Sequence, residues 1–266
     1  MSTNTQKILL GLGLIGIGVG IYLVESGVMG GIKNGEMLAS GKNVPIATST
    51  VAYYPGATGY YVRPLDKKAY PGVVMIHENR GLRPEIKQMA EELAKEGYQV
   101  LAVDLLGPYV ETQDEARALT ANFNQAKGVE NMRAATTYLR EQGASKVASL
   151  GWCFGGRQSV ELAISGEKLD ATVVYYGGSM ATTTERLAPI TWPVLGVFGD
   201  QDRAIPVETV RAFETSLKTL GVTNEIYLYP GVGHAFANPS GMNYAPEETK
   251  DAWAKTVAFL ATYLQQ

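Results

Sequence analysis

Cys153 is the only cysteine in the sequence, so it has no intrachain disulfide partner. It stands in Gly151-Trp152-Cys153-Phe154-Gly155-Gly156, directly after the apolar run Val147–Leu150. A strand turning sharply into a helix at this point would hold the thiol exposed and strained, and the flanking glycines let backbone approach without Cβ clashes. A cysteine packed as a small hydrophobe would not need that frame. A thiol nucleophile needs a base, and the base needs an orienting group. The sequence has two histidines. His234 lies in Pro230-Gly231-Val232-Gly233-His234-Ala235-Phe236, just after the last β-prone run. Gly199-Asp200-Gln201-Asp202 follows another such run and offers two carboxylates, one of which could instead cap the next helix. His77 comes before the nucleophile in the chain and reads as a hydrogen-bonded structural histidine. Its loop, His77-Glu78-Asn79-Arg80-Gly81-Leu82, is expected to lie beside the elbow. There it would add a second backbone N–H to that of Phe154 in an oxyanion hole.

These groups must be brought together by the elements between them. Thr50–Tyr54 and Gly59–Arg63 flank Pro55-Gly56 and predict an antiparallel hairpin. Continuous apolar runs at 72–77, 98–103, 146–150, 171–176 and 194–198, with 225–229 after them, predict strands, most of them buried on both faces. Between them, Pro84 opens a helix with Ile86, Met89, Ala90, Leu93 and Ala94 on one face. Residues 111–142 predict one or two helices interrupted near Gly128. Further helices are expected at 154–164, 206–220 and 252–264. Alternating strands and helices of this length imply an α/β fold with a mostly parallel sheet covered on both faces. Ligands of such sheets sit at the carboxyl ends of the strands, where Cys153, both aspartates and His234 fall. The chain order nucleophile, acid, histidine is that of α/β-hydrolases.

Together, Glu78 in an H-E-x-x-G-L loop, G-x-C-x-G-G at the elbow, G-x-x-D-x-x-x-P from Gly199 to Pro206 and G-H-A-F at His234 resemble the dienelactone hydrolase family. The resemblance runs from about Val51 to the carboxyl end, including Tyr175-Tyr176-Gly177 and the final helix around Trp253. It implies a Cys153–His234–Asp202 triad, with Asp202 rather than Asp200 as the acid. It also implies a Glu78 that touches the resting thiol and promotes thiolate formation, and oxyanion donors at the N–H groups of Asn79 and Phe154. The implied reaction is hydrolysis of carboxylic esters or lactones through an acyl-enzyme, with no cofactor or metal. A general carboxylesterase or thioesterase, or a tethered non-catalytic binding module, are the alternatives. Arg80, Trp152, Phe236 and Asn238 are the candidate substrate-binding residues. The family grips its substrate carboxylate with arginines. One of those positions is Asn238 here, and no arginine follows the 103–105 strand end. Arg157 and Arg203 remain possible substitutes, and neutral, fairly small substrates are expected.

The chain has 266 residues, 45% hydrophobic and 18% charged, with a formal net charge of −3 and no basic run. Nucleic acid is thereby excluded as an expected partner. Three parts are expected: an amino-terminal segment (1–25), a linker (26–49) and the catalytic domain (50–266). Ile8–Val24 is uncharged, and as a helix it would be about 26 Å long, slightly short of the hydrocarbon core. Its Gly11-x-Gly13-x-x-Gly16 follows no strand and is not a dinucleotide fingerprint. Twin arginine, lipobox cysteine and a good cleavage site are absent. A membrane anchor is therefore expected in preference to a cleaved signal, with the catalytic domain outside the cytoplasm or exported.

Overall fold

The central strand β3 (Gly72–Ile76) is wholly buried and carries the loop that holds Glu78. The computed structural model describes residues 44–66 and 68–266. Its eight strands are β1 (Ile46–Tyr54), β2 (Ala57–Pro64), β3, β4 (Gln99–Val103), β5 (Val147–Trp152), β6 (Ala171–Tyr175), β7 (Val194–Gly199) and β8 (Asn224–Tyr229). They form one sheet in the order β1-β2-β4-β3-β5-β6-β7-β8. The β1–β2 and β2–β4 pairs are antiparallel, and every pair from β4 to β8 is parallel. The hairpin closes at Gly56, whose φ of +78° is a left-handed conformation that suits glycine. β4 to β7 are buried along their whole length, as the uninterrupted Val, Ile and Leu runs require of strands covered on both faces.

The longer helices are α1 (Pro84–Lys95), α2 (Gln113–Ala121), α3 (Gln125–Glu141), α4 (Phe154–Ile164), α6 (Val207–Thr219) and α7 (Pro246–Leu264), with a single turn at α5 (Thr184–Leu187). α1 buries the expected face: Ile86, Met89, Ala90, Leu93 and Ala94. Three boundaries differ most from the sequence-based expectation. β1 begins at Ile46, because the hairpin register runs out to Ile46 opposite Pro64. The break between α2 and α3 lies at 122–124 rather than at Gly128. Asn124 caps α3 by accepting the Lys127 N–H, and Gly128 lies inside α3, where the Phe123 ring occupies the space a Cβ would need. α7 begins at Pro246, not Ala252. Proline at its start and Glu247 and Glu248 in its first turn favour a helix amino terminus without any apolar periodicity.

The expectation of a membrane-anchored domain outside the cytoplasm is corrected. Among the described residues no helix is long and apolar enough to cross a membrane. Ile8–Val24, on which that expectation rested, lies outside the described residues, as do the segment at 1–25 and the linker to residue 43.

Candidate active site

β5 ends at Trp152 and α4 starts at Phe154, so Cys153 makes the whole turn. Its φ of +55° and ψ of −113° lie outside the regions ordinarily open to a residue with a Cβ. The neighbours hold it there. The Cys153 N–H donates to the Tyr175 carbonyl (3.0 Å) and its carbonyl accepts the Arg157 N–H (3.1 Å). A Cβ on Gly151 would collide with the Gly155 carbonyl, and one on Gly155 would strike the carbonyl oxygens of Ile76 and His77. The glycines therefore let the elbow press against the end of β3. Tyr176 (φ +35°) and Ala235 (φ +59°) are also left-handed; the first follows Tyr175, whose carbonyl accepts the Cys153 N–H, and the second follows His234. Strain of this kind persists where the surroundings over-determine it, commonly at functional sites.

His234 Nε2 stands 3.2 Å from Cys153 Sγ, and Nδ1 stands 2.7 Å from Asp202 Oδ2. Asp202 is buried, and its other oxygen accepts the N–H groups of Ala204 (2.8 Å) and Ile205 (3.1 Å). Asp200 faces elsewhere: its Oδ1 accepts the Gly231 N–H (2.7 Å) and braces the turn before the histidine. The ring of Tyr176 packs edge-on against His234 at 5.4 Å. Burial pulls the proton affinity of His234 down. Its hydrogen bonds to Asp202 and Cys153 and the negative charge of both outweigh that, and its pKa rises to about 10.

Glu78 is recessed in the wall of an adjoining pocket. Asn238 Nδ2 donates to its Oε2, and the Tyr176 hydroxyl donates weakly to Oε1 (3.4 Å). Burial raises its pKa to about 7, against the opposing influence of His234, Asn238, Tyr176 and Arg80. No hydrogen bond joins Glu78 to Cys153. The sulfur is hydrogen-bonded to His234, and the carboxylate to Asn238 and Tyr176.

The pocket is lined by Glu78, Arg83, Trp152, Tyr176 and Asn238, with Ile86 and Met89 of α1. Of the four residues expected to bind substrate, Trp152 lines it with its ring against Tyr175. Asn238 lines it too, but is engaged by Glu78. Phe236 is fully buried behind it, in contact with Tyr176 and Tyr229. Arg80 is half-buried; its carbonyl accepts the Val110 N–H, tying the Glu78 loop to the segment after β4. Arg203 is exposed, and Arg157 lies 4.0 Å from Glu161 along α4. The guanidinium that does reach the pocket is Arg83, which sequence reasoning missed. It is paired with Glu85 (3.3 Å) and Glu111 (2.7 Å), and it faces the Tyr109 ring at 5.7 Å. Its role as the residue preceding Pro84 and α1 gave no sign of this.

His77 is fully buried, and burial lowers its pKa. Phe154 stacks on it at 6.0 Å with 15° between the rings. Neither Phe154 N–H nor Asn79 N–H has a hydrogen-bond acceptor among the described residues. Among the described residues no group of three or more His, Cys, Asp or Glu side chains is placed to hold a metal ion.

A family model described as the Dienelactone hydrolase family matches residues 57–264. A Salmonella typhimurium protein provisionally named carboxymethylenebutenolidase is 28% identical over 221 residues, covering 77% of this chain and 82% of its own. The Aquifex pyrophilus protein named usf is 31% identical over 218 residues, covering 77% of this chain and 93% of its own. Among solved structures, one from Klebsiella pneumoniae provisionally described as a dienelactone hydrolase superimposes with a TM-score of 0.74 at 25% identity. That match covers 82% of this chain and all (100%) of the other.

Proposed function

The chain belongs to the dienelactone hydrolase family, a carboxylic-ester hydrolase, and we propose that Cys153, His234 and Asp202 are its catalytic triad, acting on neutral esters or lactones. The observation that carries this reading is the continuous line from Sγ through both imidazole nitrogens to a buried carboxylate, 3.2 and 2.7 Å long.

In the proposed mechanism His234 Nε2 takes the Cys153 proton, giving a thiolate beside an imidazolium. The thiolate attacks the carbonyl carbon; the carbonyl π pair moves to oxygen, and the N–H groups of Phe154 and Asn79 receive the oxyanion. Collapse expels the alkoxide, which takes the proton from His234 Nε2, and leaves an acyl thioester. His234 then removes a proton from water, which attacks the thioester; collapse releases the acid and returns the thiolate and the imidazolium. Asp202 stabilises the imidazolium and fixes which nitrogen faces the sulfur. Glu78, when ionised, is favoured by the nearby His234, and its charge in turn favours the protonated imidazole.

Neutral substrates are favoured because Arg83 shares its charge with Glu85 and Glu111, and Glu78 adds a further carboxylate to the pocket. Recognition of an anion would call for an unshared fork of donors. A panel of neutral esters, lactones and thioesters tests the reading, with mass spectrometry of the rapidly quenched enzyme. An acyl adduct on Cys153, and loss of about three decades or more of turnover in Cys153→Ala, are expected. A variant that keeps a tenth of wild-type turnover, roughly 1.4 kcal/mol of barrier, would refute the mechanism. A wild type that hydrolyses nothing in the panel would favour a binding module.

A further inference from the structure

His77 has no part in the steps above, yet its hydrogen bonds reach the oxyanion loop. The Leu105 N–H donates to Nε2 (3.1 Å). That nitrogen must then carry the lone pair, so the ring proton sits on Nδ1, where it donates to the Glu78 carbonyl oxygen (2.6 Å). The same carbonyl accepts the Gly81 N–H (3.2 Å). Two donors thus fix its direction. In a trans peptide the C=O and the following N–H point to opposite sides of one plane, and no peptide here is cis. Whatever aims the Glu78 carbonyl therefore aims the Asn79 N–H. The ring cannot drift: it is fully buried, it is pinned to the segment after β4 by Leu105, and it is stacked on Phe154, whose own N–H is the other donor. Cys153, His77 and both donors thereby belong to one packed unit, because the Gly155 backbone lies against the His77 carbonyl.

We infer that His77 is a positioning residue of the oxyanion hole, holding the Glu78–Asn79 peptide so that the Asn79 N–H faces the developing charge. The inference rests on the triad reading given above. Two substitutions separate its halves. Asparagine carries its amide nitrogen where imidazole carries Nδ1, and keeps the donor to Glu78. Glutamine reaches the Nε2 position and keeps only the bond with Leu105. Each variant is assayed for kcat on a neutral ester and for the alkylation rate of Cys153 by iodoacetamide. Alkylation is a displacement at saturated carbon that needs the thiolate but forms no oxyanion.

His77→Gln should lose about 10²-fold in kcat, the scale of one lost oxyanion donor. Its alkylation rate should stay within about threefold of wild type, while His77→Asn should retain kcat within about fivefold, since its donor survives. A merely structural histidine would make both variants fall together, or would slow alkylation along with hydrolysis, and either result overturns the inference. A wild type without esterase activity overturns the triad reading, and this inference with it. An active wild type whose two variants behave alike overturns the positioning role alone.

Discussion

Replacing Glu78 with glutamine should make the protein more stable and less active, and the stabilisation should depend on pH. The substitution is nearly isosteric. The amide oxygen can accept from Asn238 as Oε2 does now, and the amide nitrogen can donate to the Tyr176 hydroxyl. What it removes is a carboxyl whose pKa is raised from 4.5 to about 7 by burial. Below pH 4.5 that carboxyl is protonated in both the folded and unfolded chains, and its displaced affinity does not affect stability. As pH rises towards 7 the unfolded chain releases the proton while the folded one retains it, so the folded state is progressively penalised. A tenfold difference in proton affinity is worth about 1.4 kcal/mol, so the penalty amounts to about 1 kcal/mol at pH 5 and about 3 kcal/mol at pH 8. For a domain of this size each kcal/mol moves Tm by about 2–4 °C. Glu78→Gln should therefore raise Tm by roughly 6 °C or more at pH 8 and by no more than about 4 °C at pH 5. Ester turnover should fall, because the imidazolium loses a neighbouring negative charge. Melting curves at the two pH values, with hydrolysis measured alongside, check both halves. An unchanged or lower Tm at pH 8, or a gain that does not vary with pH, would mean that Glu78 ionises like an exposed carboxylate and that its burial is not a cost held for function.

The two aspartates should separate cleanly. Asp202→Asn should cost about 10³- to 10⁴-fold in kcat because the histidine loses its charged partner, whereas Asp200→Asn, whose carboxylate meets the Gly231 N–H and the Gln201 side chain, should cost less than about tenfold; equal losses would refute the assignment. Substrate charge should respond to Arg83. Glu111 is largely exposed, with its side chain 69% accessible, so its pairing is worth at most about 1 kcal/mol, and Glu111→Gln should improve kcat/KM for an anionic ester by about threefold to fivefold. The methyl ester of the same acid should be unaffected; a parallel gain on both would show that the pairing does not govern charge selection.

Much of this architecture is legible in the sequence because it is local. The fully buried runs of β3 to β7 contain almost nothing but apolar residues, and the glycines around Cys153 mark a close backbone approach that no other residue type allows. Element ends were less legible. Nothing periodic marks the first turn of α7, where proline and two glutamates set the start, and Gly128 looks like a break until Phe123 is seen to occupy the space beside it. Phe236 has the position of a pocket residue in the chain, but the left-handed Ala235 turns it inward beneath Tyr176. Contacts between loop side chains with no motif linking them are not legible. Asn238 meets Glu78 across 160 positions, and Arg83 becomes a pocket residue because the start of α1 lines the same pocket as Trp152 and Asn238.

The resemblance implies Asp202 rather than Asp200 as the acid, and His234 does hydrogen-bond to Asp202; what surrounds Glu78 follows from different demands. The Asp202–His234 bond joins the carboxyl ends of two adjacent parallel strands, β7 and β8, so the fold nearly dictates it once the motif is present. The state of Glu78 depends instead on which donors reach it, and those come from loops. Where an arginine would stand in the family pattern, Asn238 supplies a neutral donor. It donates to the carboxylate, yet burial still leaves the Glu78 pKa raised to about 7. One substitution in a loop can therefore alter two things together, the charge the pocket accepts and the protonation of Glu78, while the Asp202–His234 pair remains as the sheet sets it.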